Sequence, residues 1–179
     1  KMDDPDMGVW TYEYDLVGNL KQQTDAKGQV LEFTYDNLNR LIEKKGLSPE
    51  GGLSLTLATY SYDDPNKDYC IGRLSKVTDQ SGSTEFFYDK LGREIKSIKT
   101  VKGLSPEGGL SLTSSQGTVP EQYVVEREYD ILDRLTRLTY PDGEAVNYTY
   151  DTNSGLLEQV KRGTLPYVHD ITYNAQGQI

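Results

Sequence analysis

The chain has 179 residues, a net charge of -9 from 28 acidic and 19 basic side chains, and an unusual apolar inventory of 14 tyrosines against 3 phenylalanines and 2 methionines, with 17 glycines. That acidic balance excludes a nucleic-acid reader, which needs clustered Lys and Arg to displace counterions. No apolar run approaches the roughly 20 residues of a membrane-spanning helix, so no membrane span is expected, and the single cysteine, Cys70, has no internal disulfide partner.

In chain order, the first recurring element is "YEYDLVG" at Tyr12–Gly18, an aromatic residue, any residue, Tyr, Asp, two variable residues and a residue tolerant of positive φ. It returns as "FTYDNLN" at Phe33–Asn39, "YSYDD" from Tyr60, "FFYDKLG" at Phe86–Gly92, "REYDILD" at Arg127–Asp133, "YTYDTNSG" at Tyr148–Gly155 and "ITYNAQG" at Ile171–Gly177. Asp at the first position of a type I turn, followed by a left-handed residue, makes the common three-residue hairpin connection. Each phrase is therefore a hairpin tip whose last position is Gly18, Asn39, Gly92, Asp133 or Gly177, with Gly155 one residue late. Gly, Asn and Asp are the residues that enter positive φ most readily, and they should be interchangeable there.

Second turns lie midway between tips, at Thr24–Gly28, Thr78–Gly82 and Tyr140–Gly143. Turn signals at this density leave strands of about 6 residues and no room for a helical period. Alternation puts Phe33 and Tyr35 on one face and Glu32 and Thr34 on the other, with the same split at Tyr148 and Tyr150 against Asn147 and Thr149. Only Arg127 departs from an aromatic or aliphatic residue two positions before the tip Tyr. The expected fold is all-β: antiparallel hairpin repeats laid side by side into one curved, solenoid-like sheet, with roughly 14 strands spanning about 67 Å if flat. A lone hairpin is marginal in water, so each copy would depend on its neighbours. The array is expected to run over residues 1–179 as a single unit of about seven repeats, with loop insertions near 46–56 and 103–113.

Those insertions are one twelve-residue phrase, "KGLSPEGGLSLT", at Lys45–Thr56 and again letter for letter at Lys102–Thr113. Pro49 and Pro106, each followed by a Gly pair, read as turns in exposed loop extensions flanked by short "LSLT" strands. A partner-binding motif displayed twice is the alternative.

The phrases "YEYDLVGNLKQQTDAKG", "FTYDNLNRL" and "FYDKLGRE" resemble the tyrosine-aspartate, or Rhs, repeat, and "DPDMGVWTYEYDLVGNL" resembles Rhs-type segments of large bacterial toxins such as the B-C components of Tc toxin complexes. The resemblance implies a spiralling β-shell that holds a toxic C-terminal domain before delivery, a related shell being carried by teneurins. The family's self-cleaving aspartyl-protease segment has no counterpart in these residues. The chain is thus expected to be wall alone, a part of a longer secreted or cell-surface bacterial protein. Its expected partners are the rest of that shell and the enclosed C-terminal domain, with self-association through exposed sheet edges.

Chemistry is sparse. His169 and Cys70 are each the only residue of their kind, and neither sits in a nucleophile–base signature. "DDPNKD" at Asp63–Asp68 offers oxygen ligands for calcium but lacks the glycine and terminal Glu of an EF-hand loop. The recurring tip Asp fits a local acceptor for turn N–H groups better than a general acid, because an active site is needed once. No catalytic, metal or cofactor residues are assigned, and the chain is expected not to be an enzyme. The tyrosine rows could also stack on sugar rings, so a carbohydrate-binding or cell-surface recognition module is the alternative to a shell wall.

Overall fold

The computed structural model describes residues 1–47, 54–104, 110–111, 121–168 and 171–178. Every regular element among them is a strand: β1 (Met2–Asp4), β2 (Gly8–Tyr14), β3 (Leu20–Thr24), β4 (Val30–Tyr35), β5 (Leu41–Leu47), β6 (Leu55–Tyr62), β7 (Leu74–Asp79) and β8 (Gly82–Tyr88). They are followed by β9 (Glu94–Val101), β10 (Gly103–Leu104), β11 (Leu110–Ser111), β12 (Glu121–Tyr129), β13 (Leu135–Thr139), β14 (Ala145–Tyr150), β15 (Leu157–Arg162) and β16 (Leu165–Val168). Fourteen of these strands form one open, curved antiparallel sheet in which spatial order is chain order. The one skip is that β9 pairs with β12, because β10 and β11 pair only with each other. The number and connectivity of strands match the reading of the repeats.

The turn residues explain why the chain reverses where it does. Asn39 and Asp133 have φ of 60° and 61°, and Gly18, Gly92, Gly155 and Gly177 are also left-handed. At the first tip the Gly18 N–H donates to the Asp15 carbonyl at 3.2 Å and the Asp15 N–H to the Asn19 carbonyl at 2.9 Å. The extra residue in the tip at Asp151 is absorbed by a wider turn, closed from the Gly155 N–H to the Asp151 carbonyl at 2.9 Å.

Curvature has a repeated source. Opposite every tip Tyr of the six hairpins with paired arms, the return strand carries one extra residue: Lys21, Ile42, Ser75, Ile95, Thr136 or Glu158. A bulge increases local twist and bends its strand, and the same bulge at the same repeat position adds up to a wall that curves one way.

The registers put Tyr12 opposite Gln23, Phe33 opposite Lys44, Tyr60 opposite Val77 and Tyr148 opposite Val160 on one face. The other face carries the ion pairs Lys76–Glu85 at 3.2 Å and Lys96–Glu126 at 3.0 Å. Among the described residues no second layer covers either face. A 20.1 kDa chain folded around a core would expose about 8,700 Å², whereas this one exposes 12394 Å². Its aromatic side chains are half-buried or exposed, and only Cys70, Ser75, Gly82 and Val146 are buried among the described residues.

The twin phrases pair differently. In the first copy Lys45 faces Thr56 and Gly46 faces Leu55, continuing the β5–β6 ladder. In the second, Gly103 faces Ser111 and Leu104 faces Leu110, which is one step off the first register and outside the main sheet. The difference follows from context: β5 enters its copy through a bulge at Lys44/Lys45, whereas β9 is already paired to β12 up to Val101. The turns expected at Pro49 and Pro106 lie outside the described residues.

Candidate functional site

The constellation that recurs is the tip, built by the end of one strand, three or four turn residues and the start of the next. Its Asp does what a local acceptor should: Asp36 Oδ1 takes the Leu38 and Arg40 N–H groups, both at 2.9 Å, and Asp89 and Asp130 repeat the pattern. These are the N–H groups that a tight turn leaves without backbone partners. The second Asp oxygen is then free to face outward along the sheet.

That oxygen holds an arginine four residues on. Arg40 Nε lies 2.7 Å from Asp36 Oδ2, and Arg93 and Arg134 hold Asp89 and Asp130 at the same Nε distance. Each guanidinium then passes over the tyrosine of the next repeat, Arg40 at 4.4 Å from the Tyr62 ring centre, Arg93 at 5.0 Å from Tyr129 and Arg134 at 4.4 Å from Tyr150. Its far end reaches the next tip: Arg40 meets Asp63 at 2.6 Å, Arg93 meets Asp133 at 2.8 Å and the Asp130 carbonyl at 2.9 Å, and Arg134 meets the Gly155 carbonyl at 3.0 Å. Asn19 substitutes for arginine at the first tip and bonds Asn39 Oδ1 at 2.9 Å. The tips form a polar ladder. Asn39 and Asp133 are therefore acceptors in it as well as turn residues, so the expectation that Gly, Asn and Asp are interchangeable there holds for the backbone only. The Arg40 side chain holds the Asp63 carboxyl below the ordinary carboxylate range, helped by the Gly72 N–H and opposed by desolvation.

The tyrosine hydroxyl supplies the second link between repeats. Tyr35 donates to the Leu20 carbonyl at 2.9 Å, Tyr62 to Leu41 at 2.9 Å, Tyr88 to Leu74 at 2.7 Å, Tyr129 to Glu94 at 3.1 Å, Tyr150 to Leu135 at 2.8 Å and Tyr173 to Leu157 at 2.8 Å. In each case the acceptor is the first return-strand residue of the preceding hairpin. Burial raises the Tyr62 and Tyr150 phenols above their ordinary value, keeping them as donors. This is why the repeat needs Tyr where Phe would serve an aromatic face equally well.

The tip at Asp63 is the same device with six residues inserted, since Asp63 N–H pairs with the carbonyl of Arg73, ten residues on, where Asp36 pairs with Arg40, four on. Gly72, with φ of 81°, and Arg73, 5.7 Å over Tyr88, occupy the usual repeat positions. The insertion buries Cys70 completely and sends Lys67 to Glu85 at 2.9 Å and over the Phe87 ring at 4.5 Å. Asp63 is committed to Arg40 and the Gly72 N–H, and Asp64 to Asn66, so "DDPNKD" is not assembled as a cation cage. Among the described residues no group of three or more His, Cys, Asp and Glu is placed to hold a metal. His169 lies outside the described residues.

A separate concavity of about 710 Å³ lies at the edge of the sheet away from the tips, lined by Tyr123, Tyr140, Tyr167, Glu121, Asp142 and Glu144 among others. Glu144 accepts from the Tyr167 hydroxyl and lies 3.4 Å from Arg162. Sequence reading identified the turns but missed the arginine ladder, although an Arg four residues after Asp36, Asp89 and Asp130 was a readable signal.

Residues 14–46, which span the first two tips, match the family model described as RHS Repeat. No curated protein matches the chain in sequence. Among solved structures, the crystal structure of TcdB2-TccC3 superposes with a TM-score of 0.79 at 19% identity, covering 98% of this chain and 9% of that one. The Photorhabdus luminescens Tc holotoxin pore gives a TM-score of 0.79 at 18% identity with the same coverages. At that identity the likeness is one of fold, and the chain spans about 9% of the length of the chains it matches.

Proposed function

From a chain that carries an RHS repeat and has the sheet fold seen in TcdB2-TccC3, we propose that it is a non-catalytic wall segment of a secreted Rhs-type toxin, one stretch of a β-shell that encloses a toxic C-terminal domain. The observation that carries this reading is that the distinguishing residues recur. The Tyr latch, the Asp turn and the Arg clamp are used again at successive tips, as wall-building residues must be, whereas catalysis needs one nucleophile, one base and their oxyanion donors in one cleft. The partners of the segment are the neighbouring turns of the shell and its enclosed domain. A polar, acidic wall also stays soluble and repels acidic contents.

The test uses the full-length protein that contains this chain. Replacing Cys70, His169 or Asp68 by Ala, one at a time, is expected to leave toxicity and protease resistance of the enclosed domain unchanged. Gly82→Arg, which places a side chain against the β9 backbone, is expected to expose that domain to protease. Loss of toxicity from any one of the alanine variants, with protease resistance intact, would replace the wall by an active site.

The tyrosine-lined concavity supports a second reading, a carbohydrate-recognition surface, because Tyr123, Tyr140 and Tyr167 stand beside three carboxylates. Glycan-array binding that disappears in Tyr140→Ala would favour it.

A further inference from the structure

The tips carry apolar side chains where hairpin turns are ordinarily polar. The two variable turn residues after each tip Asp include Leu16, Leu38, Leu91 and Ile131, with fractional exposures of 106%, 70%, 59% and 96%, and the extended tip adds Ile71 at 68%. None of these positions is needed for the turn: the backbone N–H groups of Leu38 and Leu91 bond the tip Asp, while their side chains point into solvent. Five successive tips of one sheet edge thus present an aliphatic row. The midway turns at Asp25–Gly28, Asp79–Gly82 and Tyr140–Gly143 on the opposite edge have Ala26 and Lys27, Gln80 and Ser81, or Pro141 and Asp142 at the corresponding places, and the exposed apolar residues described there, such as Met7 and Leu165, are scattered singly. An aliphatic row of this length on one edge marks an interaction surface.

The spacing of the row selects its partner. Tips recur every two strands, a pitch of about 9.6 Å, and the five cover about 38 Å. A surface without that period could engage one or two of these side chains but would fall out of step with the rest. The polar ladder beneath, from Asn19–Asn39 and Arg40–Asp63 to Arg93–Asp133, fixes the pitch before any partner arrives. The surface that has the same pitch, the same apolar residues and a matching curve is another row of these tips. We propose that the tip edge is a self-complementary docking surface that seats the tip edge of a second copy of the chain, the aliphatic side chains of one row lying between those of the other. Two such rows related by a two-fold axis close on themselves and leave no repeating interface to extend.

This contact differs from strand-edge pairing, which would join β1 or β16 through backbone groups and leave the tips in water. Within the shell proposed above the same edge would meet a neighbouring turn, so the contact is one made by the chain when it is separate from that shell. The experiment is sedimentation velocity on the chain across a hundredfold concentration range, with wild type and the triple variant Leu16→Ser, Leu91→Ser, Ile131→Ser compared. All three side chains are exposed and occupy turn positions that accept serine, so far-UV circular dichroism of the variant should match wild type. The expected result is a wild-type dimer whose dissociation constant rises at least tenfold in the variant. A wild-type chain that stays monomeric throughout overturns the proposal. So does a dimer of undiminished affinity in the triple variant, which would place the contact at the sheet edges or on the aromatic face.

Discussion

A single hydroxyl decides whether neighbouring hairpins are tied or merely adjacent. Tyr62 gives its proton to the Leu41 carbonyl and carries the Arg40 guanidinium on its ring, so Tyr62→Phe removes the hydrogen bond and leaves the stacking in place. A neutral hydrogen bond of this kind contributes about 1 kcal/mol net, and the loss is expected to lower the melting midpoint by about 2–4 °C for a chain of this size. Tyr14 is the internal control: it occupies the same repeat position but is 62% exposed, and no earlier tip precedes it among these residues. Tyr14→Phe is expected to be neutral in the same thermal scan. Equal losses from the two substitutions would show that the hydroxyl acts through hydration or local turn structure and ties no repeats together.

At the level of the hairpin, two glycines with positive φ fail for different reasons when replaced. Gly18 has φ of 94° and open space around a notional Cβ, so Gly18→Ala meets only backbone strain, about 1–3 kcal/mol. Gly82 has φ of 150°, and its Cβ would lie 1.9 Å from the Thr100 carbonyl oxygen. That oxygen belongs to the β9 backbone, which is held by β12 on its other side, so it cannot move aside. Gly82→Ala is expected to cost more than Gly18→Ala in urea unfolding; the reverse order would mean that β8 and β9 are not packed as described. The comparison also shows what the sequence could reveal. Gly18 and Gly82 both read as turn glycines, and the turn positions, strand number and alternating faces all followed from such signals. The bulge did not, because its residue is Lys21, Ile42, Ser75, Ile95, Thr136 or Glu158, and side chains with nothing in common leave no pattern. The tip at Asp63 was recognised only in its first half, since six inserted residues separate Asp63 from Gly72 and Arg73 and hide the repeat spacing. The tyrosines were read as an aromatic face, which their alternation supports, but an acceptor contributed by the previous hairpin is not visible from within one phrase.

Across the whole molecule, stability is a property of neighbours. Among the described residues the sheet has no second layer, its strands pair in chain order, and 12394 Å² remain exposed, so every hairpin is held mainly by the one before and the one after. Proteins built this way behave as one-dimensional chains of coupled units, opening from the ends where a unit has one neighbour only. The coupling is also uneven along this chain. Cys70 and Ser75 are buried around the extended tip, which is also where Lys67 crosses to Glu85 and Phe87, whereas β1 is three residues long and all four side chains of β16 are exposed. Native-state hydrogen exchange should therefore grade outward: slowest amides in β6 to β9, intermediate in β4 and β13, fastest in β1 and β16. A single protection factor shared by all strands would require global two-state opening, and the one-layer, nearest-neighbour description would then be wrong. Dimerisation through the tip row would slow exchange at the tips without changing that gradient along the sheet, because it adds contacts at the strand ends and none at the open edges of β1 and β16.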